Sequence, residues 1–485
     1  MTQLVARQIP FANMTATAQL FADAGPVHVA EALATAFKDR VAEGSGYEVD
    51  PSNGQRRCLA LIDVDAERFY AVDLYGVFGG REAWWSFHGQ EDAGFQVTGL
   101  KLTPQAGGTL AGAEVPYGSE DWLKANGCTR SNYGYSGLMF GFAHLDQVQR
   151  ASSAEGWSAD WALRNADGLH FRLSVPPTDA PQEIAVCNGR SPAGASPYEM
   201  KWLLRHEQGP GPLRTRFVSF MELYRGAPLI SALRRLELSG EGVEAAEAQA
   251  YEVTLDQRRD VIFYSLAAER VFTAPGGFEF AGRFGLYSET LDGRPVKIAL
   301  VGGTRLTRNG VGLIQPSAGG RARIVAVDRV ATALTIQVPA SVAKAWVGRV
   351  VHVVNPVRRI SLQVLSVSGD EQTATLKLEF DPCIGIGRSR GAAEDRLLTD
   401  TKFYLRGFRY YHGARLASAD GQAEFPVKGI KSGEFVLLGA EGVAPIPQAE
   451  LERAFPAGSW FSLYDYGVGD WLEWTNAASL ELRAE

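Results

Sequence analysis

Trp84-Trp-Ser-Phe-His-Gly-Gln-Glu-Asp92 is the densest run of aromatic and polar side chains in the sequence. Flat indoles such as Trp84 and Trp85 stack on sugar rings, and an imidazole such as His88 exchanges protons near neutral pH. The same residues also suit a strand whose tryptophans fill a core and whose histidine caps a turn. Arg130-Ser-Asn-Tyr-Gly-Tyr135 is glycine-punctuated and reads as a loop, offering Arg130, Tyr133 and Tyr135 as substrate-binding groups. Two carboxylates interrupt apolar strands: Asp73 in YAVDLYGV and Glu222 in FVSFMELY. A carboxylate there is either a structural group bonded to amides or an arginine, or a member of a site.

Other chemistries lack their residues. The histidines at 28, 88, 144, 170, 206, 352 and 412 form no HxH or HExxH pair, so no metal site is expected. No GxSxG elbow, Walker loop or dinucleotide-binding glycine pattern occurs, and no cofactor is expected. Gly385–Arg390 (GIGRSR) resembles a phosphate loop only superficially, because no helical pattern follows. Cys58, Cys128, Cys187 and Cys383 are far apart with no CxxC, which favours free thiols over disulfides or zinc.

The elements that position these residues are short strands. Cys58–Val64 and Phe69–Phe78 are apolar on both alternating faces, as for strands in the middle of a sandwich, and turn residues bound each. Similar runs follow at 169–175, 216–224, 251–255, 261–266 and 278–286. Helical patterns are few: 29–42 fits a helix or a strand followed by a loop, and 121–125 and 448–455 are short candidates. The fold class is therefore all-β, a large antiparallel β-sandwich over residues 1–300 followed by a smaller C-terminal β domain over 301–485. At 485 residues more than one domain is expected. Lys and Arg total 48 against 55 Asp and Glu, which argues against a nucleic-acid partner. No run approaches the roughly 20 apolar residues of a membrane span, and the opening MTQLVARQIPFANMT lacks the apolar run of about 7–15 residues in a signal peptide.

The strands also carry an ordered resemblance. Arg68-Phe-Tyr-Ala-Val-Asp-Leu-Tyr-Gly-Val-Phe-Gly-Gly80 followed by Trp85-Ser-Phe-His-Gly89 resembles the Val-Asp strand, Gly-Gly turn and Phe-His-Gly strand of heparinase II/III-like proteins. GTLAGAEVPYG (108–118), RFVSFMELYRG (216–226), Val347-Gly-Arg349, Tyr411-His-Gly-Ala-Arg-Leu416 and Tyr464-Asp-Tyr-Gly-Val-Gly-Asp470 extend it in order along nearly the whole chain.

The resemblance implies a β-sandwich and a terminal β domain of a polysaccharide lyase, which family members join to an N-terminal α/α toroid. Such enzymes cleave uronic-acid polysaccharides by β-elimination: donors neutralise the uronate carboxylate, a Tyr or His removes the C5 proton, and another group protonates the leaving oxygen. The family's Tyr and Asn come from the toroid, and its His-x-His strand is also missing here. The resemblance therefore implies the β-sheet portion of a lyase, expected to need a separate α/α-toroid chain. His88 is the one catalytic candidate, and a polysaccharide or oligosaccharide is the expected partner. The rival expectation is a non-catalytic carbohydrate-binding or scaffold protein that stacks sugars on Trp84, Trp85, Tyr133 and Tyr135. A third is a self-sufficient site of His88 with Asp73 or Glu222. Family members are usually exported, and the compartment of this chain stays open.

Overall fold

The computed structural model describes residues 3–4, 14–37, 49–90, 93–131, 134–136, 140–190, 199–380, 382–394, 396–401, 403, 411–431, 434–437 and 445–482. It is all-β, with 59% strand and 6% helix. An eight-stranded antiparallel sheet runs in the order Met14–Asp23, Val27–Phe37, Val49–Asp63, Phe69–Phe78, Arg214–Arg225, Leu169–Val175, Trp157–Ala162, Gly94–Thr98. The 29–42 segment, open between helix and strand, enters this sheet as Val27–Phe37. The short helical candidates form Glu120–Ala125 and Gln448–Ala454, and one further turn of helix lies at Ala340–Ala343.

This sheet is a middle layer. Tyr75, Val77 and Phe217 point to one side, packing on Trp85, Val186 and Leu203 of a six-stranded sheet that includes Glu82–His88, Gln182–Arg190 and Glu199–Gln208. Val72, Leu74, Val218 and Phe220 point to the other, packing on Tyr251, Val253, Ile262 and Phe284. Those belong to a third sheet, Ile230–Leu236, Gln249–Leu255, Arg258–Tyr264, Phe284–Thr290, Pro295–Val301 and Ala477–Glu481. Strands covered on both faces must be apolar on both, which explains why Phe69–Phe78 is apolar on both faces apart from Asp73. Each Phe or Leu removed from water there contributes about 1.5–3 kcal/mol.

Buried charges fix how the second and third layers meet. Glu31, 2% exposed, accepts from Arg56 (2.8 Å) in its own sheet and from Arg283 and the Tyr264 hydroxyl (2.7 Å) across the interface. Asp260 accepts from the Tyr70 hydroxyl at 2.9 Å and from Arg258 at 2.9 Å. Slipping either strand would strand a charge in apolar surroundings, so these contacts select one register.

The expected division at residue 300 differs from the layout of the sheets. Pairing of the sandwich sheets continues through a four-stranded sheet ending at Val311–Ile314, and the final strand Ala477–Glu481 returns to pair with Pro295–Val301. Between them lie two closed six-stranded barrels. The first comprises Gly319–Asp328, Ala333–Ile336, Val350–Val354, Arg359–Gly369, Ala374–Leu378 and Trp471–Thr475. The second comprises Cys383–Ala393, Arg396–Thr399, Arg415–Ser418, Glu424–Lys431, Glu434–Leu437 and Trp460–Tyr464. The change to shorter, more polar strands after residue 301 marks this passage from broad layers to small barrels, whose outer faces meet water. The 411–416 and 464–470 motifs lie at the joint between the barrels. There Arg358 pairs with Asp465, Arg415 with Asp470 and Arg329 with Glu424 (2.7 Å), and the Asn355 amide donates to the Gly413 carbonyl at 2.9 Å.

Candidate functional site

Three sheets converge on a cleft of about 700 Å³. Its walls come from the ends of the six-stranded sheet (Gln182, Arg205, Glu207), the start of Arg214–Arg225 (Arg216), and the third sheet (Arg235, Gln249, Tyr251). Residues 176–181, rich in proline, border it as the chain crosses between sheets.

Arg205 stands behind this wall, 0% exposed. Its Nε and Nη2 donate to one oxygen, Gln182 Oε1, at 2.9 and 2.6 Å, and Nη1 donates to the Val218 carbonyl at 3.0 Å. No carboxylate forms an ion pair with it among the described residues. Burial pulls its pKa down to about 10, so it remains cationic at neutral pH and its field reaches the cleft through a low-dielectric wall. Arg216 lies half-buried in the cleft, opposite Gly76 in the neighbouring strand. Its guanidinium has neither an ion pair nor a hydrogen bond among the described residues. Arg235 is different, since Asp179 pairs with it.

Most of the cleft's other titratable groups are engaged, while the exposed Glu244 carboxylate at its edge has no partner among the described residues. Tyr251 donates to Gln249 Oε1 at 2.8 Å, and burial pushes its pKa up to about 12. His206 has Nδ1 2.6 Å from Glu183 and Nε2 3.0 Å from Glu82. The cleft therefore offers an anion Arg216 with free donors and the buried charge of Arg205, and its one unpaired carboxylate among the described residues is Glu244.

The candidates read from the sequence lie elsewhere. Trp84 and Trp85 are adjacent on a strand, so they point to opposite faces, and both faces are covered. Trp85 is 3% exposed in the core between layers. Trp84, 8% exposed, lies under Phe142 and Leu145 and stacks on His206. The expectation of an indole surface for sugars is corrected on this point: neither ring is open to one. His88 ends its strand, exposed, with Nδ1 3.0 Å from the Gly89 carbonyl and its ring 4.6 Å from that of Trp202. Arg130 pairs with Glu120 at 3.1 Å, and Tyr135 is opposite it in a two-stranded ribbon. Tyr133 lies outside the described residues.

Asp73 is held by Arg57 through two bonds, at 2.9 and 2.7 Å, and burial pushes its carboxyl above the usual range even so. Glu222 accepts from Arg172 (2.8 Å) and from the amides of Leu229 (2.6 Å) and Ile230 (3.1 Å). Because Asp73 is paired with Ser219, three positions from Glu222, the two carboxylates face opposite sides of the sheet. Each is held by an arginine of a neighbouring strand, Arg57 for Asp73 and Arg172 for Glu222, as the structural reading of a buried carboxylate expects.

Arg205 and Arg216 are the residues that sequence reading passed over. The signal existed in KWLLRHEQ, where a basic residue follows two leucines inside a strand. Compared with protein-family models and with curated proteins, this sequence matches none.

Proposed function

We propose that this chain is the β-sheet portion of a heparinase II/III-type lyase, and that its cleft binds the carboxylates of a uronic-acid polysaccharide. The observation that carries this reading is Arg216, an unpaired guanidinium in a cleft, backed by the buried charge of Arg205. An arginine with no hydrogen-bonded partner keeps its donors for a carboxylate, and it does so here although Glu207 and Glu244 line the same cleft. The ordered motifs along the strands favour that family over other acidic ligands.

Proton abstraction needs a base, and a separate α/α-toroid chain would supply it across the cleft. The alternative, a non-catalytic carbohydrate-binding protein, has its own support in the engaged state of His206 and Tyr251. Titration calorimetry with alginate and heparan-type oligosaccharides tests the binding step: Arg216→Ala should weaken affinity by about tenfold, the loss of one charge-assisted contact. Undiminished affinity in that variant would sink the cleft assignment. The two readings separate by ultraviolet absorbance of unsaturated uronates. The chain alone should generate none, and a toroid-bearing chain should restore it if the lyase reading holds. Product formed by the chain alone would overturn the need for a partner.

A further inference from the structure

The two barrels are built alike. Numbering each barrel's strands along the chain, both close in the order 1-2-5-4-3-6, and the second barrel sits in the connection between the fifth and sixth strands of the first. Register shifts fall at matching places: between Ile324 and Ala326 and between Ser389 and Gly391 where strand 1 meets strand 2, and between Val364 and Ser366 and between Val427 and Gly429 where strand 4 meets strand 5.

The match extends to atoms where the sixth strand begins. Gly469-Asp-Trp471 in the first barrel corresponds to Gly458-Ser-Trp460 in the second. Each glycine has the positive φ that favours glycine, 89° and 87°. Gly469 donates to the Ile324 carbonyl (2.9 Å) and Ile324 to that of Asp470 (2.9 Å); Gly458 donates to Ser389 (2.8 Å) and Ser389 to Ser459 (2.9 Å). Opposite each tryptophan stands an arginine, Arg323 facing Trp471 and Arg388 facing Trp460. Each arginine donates to the carbonyl of its barrel's glycine, Arg323 to Gly469 and Arg388 to Gly458 (3.1 Å).

The copies differ in what covers the indole. In the first barrel Arg321 and Arg323 lie 4.3 and 4.2 Å from the centre of the Trp471 ring. In the second, the position two residues before Arg388 is Ile386, and Trp460 is 58% exposed. Arg388 is anchored by Nε alone, so both Nη groups are free of protein partners among the described residues. Arg390 is exposed on the same outward row. An indole left in water beside one anchored guanidinium with free Nη groups is the surface that an acidic sugar fits: the apolar face of a pyranose covers the ring, and its carboxylate takes the Arg388 donors.

We propose that Ile386, Arg388, Arg390 and Trp460 form a second binding platform for an acidic polysaccharide, on the outer face of the second barrel and separate from the cleft. This rests on the uronic-acid reading above. The test is affinity electrophoresis of the full chain in polygalacturonate, with a neutral cellulose derivative as the control gel. Trp460→Ala and Arg388→Ala should each weaken retardation by about tenfold in apparent Kd, with Tm unchanged because both side chains are exposed. Polygalacturonate should also quench tryptophan fluorescence less in Trp460→Ala than in the unaltered chain. If both variants bind polygalacturonate normally while Arg216→Ala does not, the platform is wrong and the cleft stands. If the unaltered chain binds no acidic polysaccharide, both fall. Equal losses in the neutral gel would overturn the selection of acidic sugars.

Discussion

Trp84 and His206 lie ring on ring, 3.9 Å between centroids and 14° from parallel, on the covered outer face of the six-stranded sheet. The indole nitrogen of Trp84 donates to Glu82 at 2.6 Å, and the same Glu82 oxygen is 3.0 Å from His206. Trp84 thus works as packing for a polar cluster at the back of the cleft wall. Trp84→Ala should cost about 3–5 kcal/mol through the cavity it leaves, and Trp84→Phe much less. Thermal unfolding of the two variants checks this. A Trp84→Ala protein with unchanged Tm and lost glycan binding would restore Trp84 as a contact residue.

Gln182 decides whether the buried cation behind the cleft is tolerated. Its Oε1 is the acceptor for two donors of Arg205, and its amide donates to Glu207. Gln182→Leu leaves those donors unpaired in a dry wall and should cost about 2–3 kcal/mol. Urea denaturation measures it. If the midpoint stays in place, water reaches Arg205 and the picture of a charge sealed behind the wall is wrong.

Glu222 ties the middle sheet to the first residues of the third one. Glu222→Ala removes the partner of Arg172 and of two amides at once, and should cost about 3–5 kcal/mol. Glu222→Gln keeps an acceptor for the Leu229 and Ile230 amides and should lose less. The ordering of the two urea midpoints is the readout; equal loss would mean that the charge carries the whole effect.

Alternation made the sheets legible in the sequence, and it misplaced the tryptophans for the same reason. Phe69–Phe78 reads as a doubly covered strand because both its faces are apolar, and the structure covers both. Trp84 and Trp85 had to point apart. Whether the outward face met water depended on Phe142 and Leu145, about sixty residues away, which no local pattern encodes. Asp73 and Glu222 stood out as charges in apolar strands. Their partners Arg57 and Arg172 came from neighbouring strands, visible only once the register was fixed. Arg205 met the same criterion, but Arg216 did not: its significance is the missing counter-ion, a property of the assembled cleft. The barrel duplication escaped detection because its matching residues are few, a Gly-x-Trp and an arginine set far apart in the chain.

His352 gives the first barrel a dependence on pH. It is 1% exposed; its Nδ1 is 3.0 Å from the Ser361 hydroxyl, while Nε2 is buried without a partner. Glu473 stands opposite it in the next strand but is paired with Arg359 at 2.6 Å, and Arg359 also donates to the Gln19 carbonyl of the sandwich at 3.3 Å. Burial, aided by the Arg359 charge, lowers the imidazole from an ordinary 6.5 to about 4. The unfolded chain therefore takes up a proton below pH 6.5 that the folded barrel refuses until about pH 4. Stability is complete above 6.5 and falls as the pH drops through that window, by up to about 3 kcal/mol. His412, also lowered by burial, acts in the same direction. His352→Gln should accordingly flatten the decline in Tm between pH 7 and pH 5 without abolishing it. A variant whose Tm falls as steeply as that of the unaltered chain would show that this imidazole is already solvated, and that the seam between barrel and sandwich is open to water.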